Sequence, residues 1–153
     1  MAIRSLFVDQ DSGARGSGSK SVQYVYKIDV LAADDINDVL FIAPMSGDQI
    51  ITSINYFTGG VTGLSDINVG FYKSERVGGA VIDDNALDDA LDVSASGTDV
   101  GLAAVVVGDR FKTIRELVGT DAGNPSEFVL ALTLITEPTA DGTITMVVNA
   151  TQS

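Results

Sequence analysis

The alternation of apolar and polar residues from Ser21 to Val30 is the feature of this sequence that most limits its fold. A period of two residues places alternate side chains on opposite faces of a β-strand. The even positions carry apolar or aromatic side chains, namely Val22, Tyr24, Tyr26, Ile28 and Val30. Most of the odd positions are polar. The pattern therefore predicts a half-buried strand rich in aromatic and β-branched residues.

Further short apolar segments follow, separated by turns rich in Gly, Asp and Asn. The predicted strands before the middle of the chain are Val39 to Ala43, ended by Pro44; Gln49 to Phe57, with Ile50, Ile54 and Tyr56 on one face; and Ile67 to Lys73, with Ile67, Val69 and Phe71 inward. Those after it are Leu102 to Val107; Phe128 to Thr136, with Phe128, Leu130, Leu132 and Leu134 on one face; and Thr143 to Ala150, with Ile144, Met146 and Val148 inward.

Two segments have helical spacing instead. Phe111, Ile114, Leu117 and Val118 predict one or two helical turns that end at Gly119. The acidic segment Val81 to Asp99 has apolar residues at helical spacing, which predicts a short helix or an Ω-type loop. These apolar residues are Ala86, Leu87, Ala90 and Leu91.

Seven or eight short strands with few helical residues predict an all-β sandwich or barrel, jelly-roll forms included. The alternation does not separate a jelly roll from an immunoglobulin-like sandwich. Residues 9 to 20 have the Gly/Ser composition of a flexible linker. The expected organisation is an N-terminal arm and linker at 1–20, followed by one β-sandwich domain at 21–153.

The arm has a short apolar tip, formed by Ile3, Leu6, Phe7 and Val8, with Arg4 among them. Such a tip is either a first strand of the domain or an arm that docks on a neighbouring subunit; a frayed terminus is the third alternative. The few apolar residues before Asp9 are too short a run for a signal peptide, so we expect synthesis in the cytoplasm without export by that route.

The chain contains no His and no Cys, which excludes a Ser-His-Asp triad, a Cys-His pair and a typical zinc site. Only carboxylate chemistry remains. Asp83-Asp84 and Asp88-Asp89 lack the alternating acids and closing Glu of an EF-type calcium loop, and the chain has no Trp to form a sugar platform. A solvated acidic loop is the preferred interpretation. We therefore predict a protein that is not an enzyme, with no catalytic residues, cofactor or metal.

The net charge is −12, and 17 of the 21 acidic residues are Asp. This charge disfavours nucleic acid and anionic membranes as partners and favours basic surfaces. All nine basic residues lie at or before Arg115, and Arg110, Lys112 and Arg115 form a cluster. The cluster either pairs locally with acidic loops or contacts a neighbouring subunit.

Several segments together resemble small structural proteins of tailed bacteriophages, described as head decoration, cement or stabilisation proteins. The resemblance covers about residues 39 to 150, and its motifs are short and mostly determine the fold. One departure is Arg115, where the corresponding helical piece of such proteins often has an aromatic residue. The segments are Thr113 to Gly119, Phe128 to Leu134, Asp141 to Val148, Asp66 to Tyr72 and Gly78 to Asp84.

The resemblance implies a β-sandwich of jelly-roll type with one or two short helices, present on the virion as an oligomer, often a trimer, on the outer capsid surface. The implied partners are the major capsid protein and further copies of the chain. The alternatives are another virion component, such as a tail, fibre or spike domain, and a carbohydrate-binding adhesin module. The candidate subunit or capsid contacts are Ile3, Arg4, Leu6, Phe7, Val8, Arg110, Lys112 and Arg115.

Overall fold

The protein, studied as a computed structural model, is a sandwich of two β-sheets. The structure describes residues 2–6, 21–95, 100–101, 111–119 and 127–152. In these residues the strands are β1 (Ile3–Ser5), β2 (Ser21–Val30), β3 (Val39–Met45), β4 (Gln49–Thr58), β5 (Ile67–Tyr72), β6 (Val81–Leu91), β7 (Val100–Gly101), β8 (Phe128–Leu134) and β9 (Gly142–Gln152). A 3₁₀ turn spans Glu75–Val77, and a short helix, α1, spans Ile114–Val118.

The two sheets have the strand orders β1-β3-β8-β5-β6 and β2-β9-β4-β7, which confirms the predicted all-β sandwich. Four antiparallel strand pairs are nested in chain order. The pair β2–β9 is outermost and encloses β3–β8, which encloses β4–β7, which encloses β5–β6. Jelly-roll sandwiches pair eight strands across two sheets in a nested order of this kind.

The β2 strand confirms its predicted alternation. It pairs with β9 over ten consecutive residues without a register shift. Tyr26, Ile28 and Val30 are at most 1% exposed in the core between the sheets, whereas the odd positions are exposed. Full burial of each large apolar side chain contributes about 1.5 to 3 kcal/mol, so these residues fix which face of β2 is inside.

Two strand predictions need correction. In β4, Ile51 instead of Ile50 faces the core with Ile54 and Tyr56, because a register shift against β9 between Ile51 and Ser53 reverses the alternation. Pro44 does not end β3, which continues to Met45. Proline is tolerated there because β1 pairs with only the first three residues of β3, so no strand among the described residues pairs with Pro44 on that edge.

The prediction of a short helix or Ω-type loop in the acidic segment is wrong for its described part. Val81–Leu91 is an edge strand, β6, paired with β5. Three register shifts interrupt the pairing, and Ala90 has a positive φ of 57°. Leu87 and Leu91 both reach the core, and because residues four apart lie on one face of a strand as well as of a helix, their spacing did not separate the two structures.

The strands β5, β8 and β9 confirm their predicted inward residues, all of which are buried. The other face of β5 and β8 is buried as well, which the sequence pattern did not indicate. The helix α1 is confirmed, with Gly119 as its C-terminal cap. The predicted strand Leu102 to Val107 and the linker at 9–20 lie outside the described residues.

Candidate functional site

The N-terminal residues form a strand on the chain's own body. Strand β1 runs parallel to β3 and pairs Ile3 with Val39 and Ser5 with Phe41. The amide of Leu6 donates to the carbonyl of Phe41 at 2.7 Å, and the amide of Val39 donates to the carbonyl of Ala2 at 2.9 Å. Of the alternatives for this segment, the structure therefore has the first strand, while Phe7 and Val8 lie outside the described residues.

On the inward face of β1, the side chain of Arg4 holds the strand in place. Its Nη2 donates to Asp34 Oδ2 at 2.6 Å and to the main-chain carbonyl of Asp29 at 3.0 Å. The Asp34 side chain is only 9% exposed, and it also accepts the amide of Leu31. Loss of the guanidinium would leave a nearly buried carboxylate without its cation, which is strongly unfavourable. Sequence reasoning missed Asp34, because its partner Arg4 is distant in the chain.

Ile3 and Ser5 lie on the outward side of β1, against the connection between β5 and β6, residues 73–80, which we call the strap. Ile3 packs on an apolar cluster formed by Val39, Phe41, Tyr72, Val129 and Ala131. Ser5 donates to Glu75 at 2.9 Å. At Gly79, φ is +63°, and a Cβ would lie 2.7 Å from Cδ1 of Ile3. The strap therefore packs against β1 on the outer face of the sheet, and glycine at position 79 leaves space for Ile3.

The second candidate element surrounds α1. Thr113 and Glu116 form a capping box, which explains why so short a helix begins there. The amide of Arg115 donates to the carbonyl of Gly47, and its guanidinium lies over the ring of Phe128, 5.7 Å from the centroid. This stacking gives Arg115 a structural role at the position where the resembling proteins often have an aromatic residue. Lys112 is exposed, and Arg110 lies outside the described residues.

Phe111 is 81% exposed, beside Lys112 and before the helix begins. The spacing of apolar residues had assigned it to the helix, so its position as an exposed aromatic was missed. The structure does not bring the two candidate elements together. Arg4 is level with Leu40 on β3, and Arg115 contacts Gly47 beyond the end of that strand. At about 3.3 Å per residue along a strand, Leu40 and Gly47 are roughly 20 Å apart, and the two candidate elements beside them are separated accordingly.

The carboxylates of β6 form no cluster. Among the described residues there is no group of three or more acidic side chains that could hold a metal ion. Burial raises the pKa of Asp88, and the charge of Asp89 raises it further, although a hydrogen bond from the Asp89 amide opposes both. Burial also raises the pKa of Tyr56 well above its usual range, with a further contribution from the charge of Asp88. In the described part of the chain, no helix is long and apolar enough to cross a membrane.

Comparison with known proteins gives two structural matches. The fold matches a chain of the cyanophage Pam1 capsid asymmetric unit with a TM-score of 0.60 and 11% identity, covering 92% of this chain and 90% of that one. It matches a chain of the capsid of Ralstonia phage GP4 with a TM-score of 0.65 and 12% identity, covering 97% and 98%. No family model matches the sequence, and no curated protein matches it. At these identities the likeness establishes the fold.

Proposed function

We propose that this chain is a structural, non-enzymatic protein of a tailed-bacteriophage virion that binds the outer capsid surface and stabilises or decorates the head. The observation that carries the proposal is the match, over at least nine tenths of each chain, to chains in two phage capsid structures. The motifs that resemble head decoration proteins lie in the same sandwich. The proposed partners are the major capsid protein and further copies of the chain, in a homo-oligomer such as a trimer.

The chemistry of the chain supports a structural role. A chain without His or Cys lacks the usual general base and the strongest nucleophile, and a scaffold requires neither. The −12 charge would keep densely placed copies soluble and would repel the nucleic acid and anionic membranes that we exclude as partners. We therefore expect the acidic strand β6 to face solvent and the basic residues to face the shell.

The candidate contact residues divide into those that hold β1 on the sandwich and those that remain for a partner. Ile3, Arg4 and Leu6 hold β1 on β3 and on the core, so in this proposal they anchor the base of the arm. Phe7 and Val8, the next residues along, are then the candidates for gripping the shell or a neighbouring copy. Arg110, Lys112 and Arg115, with the exposed Phe111, are the second candidate contact. An aromatic residue among cations is a frequent anchor of protein interfaces.

Co-sedimentation with expanded, undecorated heads of the same virus tests the proposal. We expect the protein to pellet with the heads in saturable amounts and to raise the temperature at which they break. Absence of the protein from the pellet at micromolar concentration would contradict capsid binding. Labelling of virions with an antibody to the protein separates the alternatives, since a signal on the tail would favour a tail, fibre or spike component.

Deletion of residues 1–20 is expected to leave the sandwich folded and to weaken assembly. Because the deletion also removes Arg4 from the nearly buried Asp34, the variant should have a lower melting temperature as well. Replacement of Phe7 and Val8 by Ser keeps β1 intact and serves as the matched variant. If this double variant binds heads and forms oligomers as the unaltered protein does, the arm is not the gripping element.

A further inference from the structure

The described edges of the two sheets are protected to very different degrees. Strand β6 has three register shifts and four aspartates, β1 has three residues, and β7 has two. Short, irregular or charged edges of this kind resist pairing with other chains. Strand β2 has few of these protections: it has ten residues in unbroken register with β9, with no proline and no glycine, and its two charged residues, Lys27 and Asp29, have opposite signs.

The free hydrogen-bonding groups of β2 can be identified from one contact. The carbonyl of Asp29 accepts from Arg4, which lies beyond the edge, so Asp29 directs its main-chain groups away from β9. In an antiparallel ladder this direction alternates along the strand. The amides and carbonyls of Gln23, Val25 and Lys27 therefore also point outward. Within the described residues no backbone group of another strand pairs with them.

We propose that the free edge of β2 is a self-association site, at which β2 of a second copy pairs antiparallel about a two-fold axis at Val25. In this register Val25 lies opposite its own counterpart, and Gln23 lies opposite Lys27 of the other copy. The amide and ammonium groups of that pair can hydrogen-bond. The three outward-facing residues of each strand supply six main-chain hydrogen bonds. The guanidinium of Arg4, on the carbonyl of Asp29, limits the pairing at that end.

Competing registers are less favourable. An axis at Lys27 would place two lysines directly opposite each other, and like charges in that position are destabilising. An axis at Gln23 would shorten the paired segment, because β2 begins at Ser21 and only the residues from Ser21 to Val25 could then pair. The outward residues of β2 are thus self-complementary in the Val25 register.

The inner face of β2 gives an independent reason for a second copy. Tyr26 and Ile28 are buried, whereas Val22 and Tyr24 are only partly buried. An antiparallel partner centred on Val25 brings the second copy's Tyr26 beside Tyr24 and its Ile28 beside Val22. The well-covered half of each strand would therefore shield the poorly covered half of the other.

Charge also selects this side of the molecule. A chain of net charge −12 repels its own copies, so self-contact is least unfavourable where acids are absent. On the outer faces of β2, β9 and β4, Lys27 and Asp29 are the charged residues, and their charges cancel. Val25 and Phe57 are the exposed apolar residues of this face, 41% and 45% exposed. The site includes none of the candidate capsid contacts except Arg4, so a test of self-association does not depend on whether the chain binds a capsid.

Cysteine cross-linking of the full chain tests the site and its register, because the chain has no cysteine of its own. Under mild oxidation we expect V25C to form covalent dimers, since residues directly opposite in an antiparallel pair lie within disulfide range. K27C alone should cross-link poorly, whereas a mixture of Q23C and K27C should give a mixed dimer. Cross-linking of V25C no faster than that of K27C would overturn the proposal.

A charge substitution gives a second measurement that needs no cross-link. V25K places two cations opposite each other at the axis and should weaken dimerisation about tenfold in sedimentation equilibrium. N55K is the matched control, because Asn55 is on the same face but on β4, two strands from the free edge. Equal effects of the two substitutions, or a monomer at every concentration of the unaltered protein, would refute the site.

Discussion

Strands β2 and β6 are both edge strands of about ten residues, yet they differ in almost every physical respect. Strand β2 keeps one register with β9 along its length, and its alternation matches its burial. Strand β6 changes register with β5 three times and has aspartates where β2 has aromatic and β-branched residues. Regular pairing leaves β2 open to another strand, whereas irregularity and charge close β6. The edge of β2 therefore suits contact with a second strand, whereas the edge of β6 suits exposure to solvent.

Close backbone approach is what holds the irregular strand in place, and Gly70 on β5 is where it occurs. A Cβ at this position would overlap main-chain atoms of Asp83 and Asp84. We expect Gly70→Ala to force β6 away from β5 and to lower the free energy of unfolding by at least about 3 kcal/mol. Urea denaturation followed by circular dichroism measures the loss.

Gly59→Ala is the control for this substitution, since a Cβ at Gly59 has nothing within 4 Å. Its unfolding midpoint should stay close to that of the unaltered protein. If Gly70→Ala were tolerated equally well, the close approach between β5 and β6 would not be a determinant of the fold.

Strands β2 and β6 also differ in how deeply their core residues are buried, with a smaller expected effect on the free energy of unfolding. Ile28 of β2 is 1% exposed, whereas Ile82 of β6 is only partly buried against the core. Ile28→Ala should cost about 3 kcal/mol and Ile82→Ala about 1 kcal/mol in the free energy of unfolding. Both are measured by the same denaturation experiment. Equal losses would mean that β6 packs as tightly as β2, and the contrast between the strands would then fail.

The smallest expected effect concerns Asp88, the most buried acid of β6, whose folded-state pKa is raised above its usual 3.8. A carboxyl with a raised pKa binds protons more readily in the folded state, so stability falls as pH rises from 3.8 through the raised value. Asp88→Asn removes this penalty while keeping an acceptor for the Asp89 amide. The variant should be the more stable protein at neutral pH, and its advantage should vanish at acid pH.

Chemical denaturation across this pH range measures the difference between Asp88→Asn and the unaltered protein. Asp92→Asn is the matched control: Asp92 is exposed, and hydrogen bonds from Ser94 lower its pKa, so its removal should not stabilise the protein at neutral pH. An advantage of Asp88→Asn that persists unchanged at acid pH would rule out ionisation as its cause.

Local pattern predicted those elements whose geometry is local. The alternation in β2, and the apolar spacing and terminal Gly119 of α1, were sufficient, because each element has a regular geometry that its own residue pattern reflects. A register shift after Ile51 reversed the alternation in β4, and nothing in its sequence marks the shift. In β6 the four-residue spacing of Leu87 and Leu91 fits one face of a strand as well as one face of a helix, so the spacing alone could not decide between them.

The candidate contact residues were only partly predictable for a different reason. The arm was identified from its apolar tip and its Gly/Ser linker, but the partners that receive it are distant in the chain. Asp34 pairs with Arg4 across 30 positions, and Glu75 accepts from Ser5 across 70. Such pairs depend on the final topology, and a single sequence has no periodicity that encodes them. The same applies to Phe111, whose exposure depends on where α1 begins.

The nested pairing of the strands has a consequence for the order of folding. Ser21 pairs with Thr151, so the outermost strand pair closes the longest loop of the sandwich, whereas β5 and β6 are joined by the short strap. Long loops lose more entropy on closing and slow the folding of all-β proteins. During synthesis β2 emerges early and must wait for β9, with both of its edges unpaired. Chaperone dependence should therefore be greatest while β2 is out of the ribosome and β9 is not.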